Sequence, residues 1–194
     1  MLEKIIRLRI PVAIACLAAL AEIGAQPVRL WLRYQRDQLA DGELWRLVTG
    51  HLVHLGPSHM AMNVVALAIL TLIVGRLFKP MDWLWVCLIS ALAIDAGLFW
   101  VHTEVAWYVG LSGVLHGVWA AASIRAWELK RTEALALSAL ILIKLGYEAW
   151  AGPLSITGAV AAGPVVAVAH AYGALGGALW ALAGLAIRKL RWPL

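Results

Sequence analysis

Charged residues are scarce in this sequence: 14% of its 194 positions are Asp, Glu, Lys or Arg, against 63% apolar. Soluble domains carry about a quarter charged residues, so a water-exposed globule is excluded, and the mean hydropathy of +0.83 agrees. Cysteine is nearly missing. Cys16 and Cys87 both fall inside apolar runs without partner spacing, so neither a disulfide framework nor a metal knuckle is indicated, and the redox compartment stays open. No internal repeat or low-complexity segment is visible, which disfavours a transporter built from two inverted halves. His51, His54 and His59 lack a His-Glu-x-x-His pattern and an acidic ligand, so no metal and no cofactor is expected. The net charge of +5 sits in short clusters beside apolar runs rather than on one polar face, so nucleic acid is not an expected partner. Lys4, Arg7 and Arg9 before an apolar stretch imitate a signal peptide, but Glu22 and Gln26 close that run without a clean small-residue cleavage site, and the segment reads as a retained helix.

What the sequence has is apolar length. Runs at about 10–25, 58–77, 83–102, 111–124, 133–150 and 164–187 are separated by charged or Gly/Pro-containing segments, and a membrane span needs roughly 20 such residues. The expected fold is therefore an all-α integral membrane bundle of six transmembrane helices, with residues 1–194 forming a single domain and the lipid bilayer as its solvent. Lys and Arg cluster before the first run (Lys4, Arg7, Arg9) and after the second (Arg76, Lys79), fourth (Arg125, Lys130, Arg131) and sixth (Arg188, Lys189, Arg191). Residues 151–163 carry no charge. The positive-inside rule then places both termini in the cytoplasm. Segment 26–57 is the exception: expected outside, it nevertheless holds Arg29, Arg33, Arg36 and Arg46, interleaved with aromatics. It reads as a half-immersed interfacial loop.

Polar side chains at membrane depth are costly, which makes the few inside the spans functional candidates. His59 and Asn63 are four apart on the second span, and Ser112 and His116 are four apart on the fourth, so each pair shares a helical face. The sixth carries His170, Gly173 and Gly177 on one stripe. Depth follows from the helix rise of about 1.5 Å per residue. Ser112 lies 13 residues from Arg125 and Asn63 lies 13 from Arg76, roughly 20 Å above the inner face. His59 is 17 residues from Arg76 and His170 is 18 from Arg188, which puts both at roughly 26 Å. A hydroxyl, an imidazole and further donors at nearly one depth are what acyl transfer requires. Ser112 is the candidate nucleophile, His170 its base, and His59 and Asn63 the oxyanion donors, joined by backbone N–H groups if the fourth helix begins near Gly110. Gly173 and Gly177 would let the sixth helix approach the fourth closely. Asp95, in the third span, could orient a histidine as a triad acid would, but a dyad suffices and Asp95 reads more simply as pairing within the bundle; Lys144 and Glu148, four apart on the fifth, read most simply as a mutually neutralising pair.

These residues resemble the rhomboid intramembrane proteases, in order, from about Trp45 to Gly177. Trp45-Arg46 with Thr49, then His54, His59 and Asn63, looks like the family's first loop and second helix. Gly110-Leu-Ser112-Gly113 looks like the nucleophile motif, and His170-x-x-Gly173-x-x-x-Gly177 like the helix of the base. The resemblance implies a serine endopeptidase with a Ser112/His170 dyad and no catalytic acid, and an oxyanion site from His59, Asn63 and the Ser112 N–H. In other rhomboids a tyrosine commonly stands where His116 stands here. His116-Gly117, with Gly50-His51-Leu-Val-His54, is more similar to the rhombosortase branch. That similarity implies a bacterial inner-membrane enzyme opening to the periplasmic side. Its partners would be proteins anchored by a C-terminal Gly-Gly-containing motif, an apolar helix and a basic tail. Two rival readings remain at this point: a proteolytically inactive rhomboid-like protein that binds membrane clients, and a small transporter using the histidines.

Overall fold

The computed structural model describes residues 2–161 and 163–191; Met1, Ala162 and residues 192–194 lie outside it, as do the side chains of the topology markers Lys4, Lys189 and Arg191. Ten helices appear among the described residues. Six are long: α1 (Leu2–Ile23), α5 (Pro57–Val74), α6 (Pro80–Ala96), α7 (Ser112–Ala126), α8 (Arg131–Ala151) and α10 (Val168–Arg191). α2 (Ala25–Leu32), α3 (Arg36–Ala40), α4 (Arg46–Thr49) and α9 (Ser155–Ala161) are short pieces of the connections. With their terminal 3₁₀ and π turns, four helices are long and apolar enough to cross a membrane: Pro57–Leu77, Pro80–Val101, Arg131–Ala151 and Val168–Arg188. The chain is an all-α integral membrane protein. α1 carries Arg7 and Arg9 within its length and α7 has 15 residues.

Local chemistry sets the boundaries. Proline occupies the first position of both α5 and α6, where its missing N–H costs nothing, and the Asp82 carboxylate accepts from the Lys79 N–H at 2.8 Å to close the start of α6. The last apolar run is helical only in part: residues 164–167 are apolar but irregular, and α10 begins at Val168. At the other extreme α1 runs back to Leu2 through charged residues that hydropathy discounts and helices tolerate.

α7 is the axis of the bundle. Eleven of its 15 residues are buried, among them Ala120, Ala121 and Ala122, and it packs against α10, α8, α6 and α5. The outer helices invert the soluble pattern, with Leu72, Ile143, Trp150 and Leu190 among the most exposed large side chains, as lipid-facing surfaces require. α10 crosses α7 at bare backbone: a Cβ on Gly173 would collide with the Gly113 carbonyl, and one on Gly177 with the Gly117 carbonyl.

The arginine-rich segment between α1 and α5 is tied down residue by residue. Arg29 pairs with Glu22 at 3.2 Å and donates to the Leu55 carbonyl at 3.1 Å. Arg33 Nε donates to Gln35 at 2.8 Å. Arg36 caps the free carbonyls of Leu98 and Phe99 at 2.6 and 2.8 Å, at the end of the π turn Gly97–Val101 that prolongs α6. Arg46, 4% exposed, holds Glu43 and the carbonyls of Leu30 and Arg33. All four arginines of this segment thus make internal bonds. Strand β1 (Tyr34–Gln35) pairs antiparallel with β2 (Trp107–Tyr108), Tyr34 facing Tyr108, and the Gly110 N–H donates to Gly50 O at 3.2 Å. The segment therefore braces the turn that enters α7.

Candidate active site

That turn decides where Ser112 stands. Gly110 has φ +120°, a left-handed region that favours glycine, and a Cβ there would lie 2.9 Å from the His59 ring. Tyr108 Oη donates to the Gly110 carbonyl at 2.8 Å and fixes the turn from below. α7 then starts at Ser112, and the first helical bond of this turn is Leu115 N–H to Leu111 O at 3.0 Å. The N–H groups of Ser112, Gly113 and Val114 are left with no acceptor inside the helix, at the positive end of its dipole.

Ser112 Oγ lies 2.9 Å from His170 Nε2. His170 is 2% exposed, and the α7/α10 crossing at the glycines is what brings it this close. Its other nitrogen, Nδ1, lies 2.8 Å from Glu148 Oε2 on α8. Because a carboxylate only accepts, Nδ1 carries the proton and Nε2 offers its lone pair to the Ser112 hydroxyl. Lys144 Nζ donates to the second carboxylate oxygen, Oε1, at 2.6 Å. His116 stacks on His170, ring centroids 4.2 Å apart and planes 16° apart, while its Nδ1 donates to the Ser112 carbonyl at 2.7 Å.

The Rhomboid domain profile matches residues 41–187. The chain belongs to the rhomboid family. It is 27% identical over 169 residues to the rhomboid protease GlpG of Salmonella choleraesuis (strain SC-B67) and equally to that of Salmonella typhi, covering 83% of this chain. It spans 60% of the length of those relatives.

In this rhomboid His59 and Asn63 line the same cavity as Ser112 and His170. The Leu55 N–H donates to His59 Nδ1 at 3.3 Å, which leaves the His59 proton on Nε2. Asn63 donates one amide N–H to the His59 carbonyl at 3.1 Å, and its second finds no partner among the described residues. His54 is 1% exposed and meets His59 edge to face at 5.0 Å. Burial first, and the neighbouring His59 second, push His54 down to about 3 from an ordinary 6.5, so it is a neutral packing group. Asp95 sits away from His170, its Oδ1 3.3 Å from His51 Nε2. The acid on His170 is Glu148 instead, paired with Lys144 as the four-residue spacing suggested but turned inward. The depth rule had the means to find it: Glu148 is 17 residues from Arg131, roughly 26 Å up α8 and level with His170.

The depth markers themselves meet at one end of the rhomboid bundle. Arg7, Arg76, Arg125 and Arg188 line one recess there, with Arg76 paired to Glu133, Arg125 to Asp82 at 2.8 Å and Arg188 to Glu128 at 3.0 Å. At the level of Ser112 the cavity measures about 380 Å³ and is mostly apolar. It descends from Ser112 along Asn63, Ala66, Leu70 and Ile73 of α5, with Leu137 and Leu140 of α8 opposite. His116, Glu148 and His170 also offer three ligand atoms within 4.8 Å of one another. Stacked rings, however, aim their in-plane lone pairs along parallel planes that do not converge on one ion, and two of the three groups already bond each other.

Proposed function

We propose that this rhomboid is an intramembrane serine protease with Ser112 as nucleophile and His170 as base. The observation that carries the reading is the 2.9 Å contact of Ser112 Oγ with His170 Nε2, set at an unpaired helix N-terminus and opening into an apolar cavity. His170 Nε2 takes the hydroxyl proton as Oγ attacks the scissile carbonyl carbon, then returns it to the leaving amine as the C–N bond breaks. Water then gives a proton to His170 Nε2 as it attacks the acyl carbonyl carbon, and that proton returns to Ser112 Oγ as the acyl C–O bond breaks. The N–H groups at the start of α7, the His59 Nε2–H and the free Asn63 amide N–H supply donors for the developing oxyanion. His54, Gly110, Gly113, His116, Gly173 and Gly177 support this arrangement by packing.

The substrate is a membrane-anchored protein whose apolar helix enters the cavity between α5 and α8 and is cut near its extracytoplasmic end. All six long helices span the bilayer, both termini face the cytoplasm, and the site opens to the periplasmic side of a bacterial inner membrane. His116-Gly117 and the Gly50-His51-Leu-Val-His54 stretch favour the rhombosortase branch, with C-terminal Gly-Gly-containing anchors as substrates. The hydrogen-bonded Ser112–His170 pair argues against an inactive client-binding protein.

Fluorophosphonate labelling of the purified full chain tests the chemistry: wild type labels and Ser112→Ala does not, whereas a folded, unreactive wild type contradicts the proposal. Co-expression with a secreted protein bearing a Gly-Gly-containing anchor tests the branch, and retention of the anchor beside successful labelling removes the branch alone.

A further inference from the structure

Glu148 is 6% exposed, deeper than a Lys–Glu pair on a membrane helix needs to be. The Lys144 side chain keeps 22% of its surface exposed while that of Glu148 keeps 3%, so the pair is drawn inward at its acidic end. A carboxylate brought that deep requires charged or strongly polar partners on both oxygens, and it has them: Lys144 Nζ on Oε1 at 2.6 Å and His170 Nδ1 on Oε2 at 2.8 Å. Among the described residues the other buried acid, Asp95, faces His51 rather than His170. His116 cannot orient the base in its plane, because its Nδ1 is committed to the Ser112 carbonyl and it touches His170 face to face.

We propose that Glu148 is a positioning residue that completes a Ser112–His170–Glu148 triad, held in place by Lys144. The inference rests on the protease reading above. Glu148 fixes the tautomer in which His170 Nδ1 bears the proton and Nε2 faces Ser112 Oγ. When Nε2 takes the Ser112 proton, the Nδ1 proton stays on nitrogen, and the carboxylate beside it stabilises the imidazolium. One helix, α8, thereby both borders the substrate cavity and aligns the base.

The test uses the full chain in detergent, with a fluorophosphonate as probe and thermal melting as the folding control. Glu148→Gln preserves shape but offers the imidazole a less suitable partner, and its maximal inactivation rate is expected to fall on the order of 10³-fold, with the concentration for half-maximal rate unchanged. The Lys144→Met/Glu148→Gln double variant, which leaves no unpaired ammonium, falls to the same level. Wild type labelled on histidine nitrogens shows one Nδ1 proton far downfield of ordinary imidazole N–H groups, and Glu148→Gln loses it. A folded Glu148→Gln that labels within about threefold of wild type, recovery in the double variant, or a wild type without the downfield proton each overturns the triad while leaving the protease reading intact. A folded wild type that fails to label removes both.

Discussion

Ser112 owes its candidacy to the backbone as much as to its hydroxyl. A left-handed Gly110 stops the incoming chain, α7 begins at the serine itself, and its first N–H groups have no acceptor inside the helix. Donors already in place at that end cost no reorganisation when negative charge develops. Asn63→Ala should therefore lower the rate of substrate cleavage roughly 10²-fold without altering the melting temperature by more than a few degrees; unchanged cleavage would remove Asn63 from the oxyanion site. His54 makes a different prediction. Its folded value of about 3 lies below its unfolded 6.5, so its contribution to stability is complete above about pH 6.5 and is lost as pH falls toward 3. Each unit in that window costs up to about 1.4 kcal/mol. His54→Asn should flatten the fall in melting temperature between pH 6.5 and 4, and parallel curves for the two proteins would contradict it.

At the scale of elements, the crossing of α7 and α10 does the positioning. The two helices meet glycine to carbonyl, and any side chain inserted there pushes His170 away from Ser112. Gly177→Ala should cost about 1–3 kcal/mol by overpacking and depress labelling with it. Gly184→Ala on the same helix, where a Cβ meets nothing within 4 Å, should be harmless. Equal effects of the two substitutions would show that the crossing is not what they report. The existence of the long helices was legible in the sequence because lipid-facing helices advertise themselves by apolar length. Their ends are not: residues 164–167 are apolar yet precede α10, and α1 begins in charged residues. Arg29, Arg36 and Arg46 look like misplaced topology signals because the carbonyls they bind are distant in sequence. Glu148 was hidden for the opposite reason: a partner four residues away already accounted for it, although its depth matched that of His170.

For the whole molecule, the site and the cavity are continuous: Ser112 and His170 line one mostly apolar slot between α5 and α8. Ala66 is the small residue partway down that slot. Ala66→Phe should obstruct a helical anchor and slow cleavage of an anchored protein tenfold or more, on the order of the loss of one buried anchor contact, while a small fluorophosphonate still reaches Ser112. If both reactions fall together, the slot is not the route of the anchor. The proposed role of Ser112, activated by His170 as the nucleophile of a protease, is open to direct chemical labelling. The folded chain is treated with a fluorophosphonate and the modified residue is located by mass spectrometry of peptides. A single adduct on Ser112 that disappears in His170→Ala is expected; a folded protein left unmodified, or one modified elsewhere, overturns the assignment of Ser112.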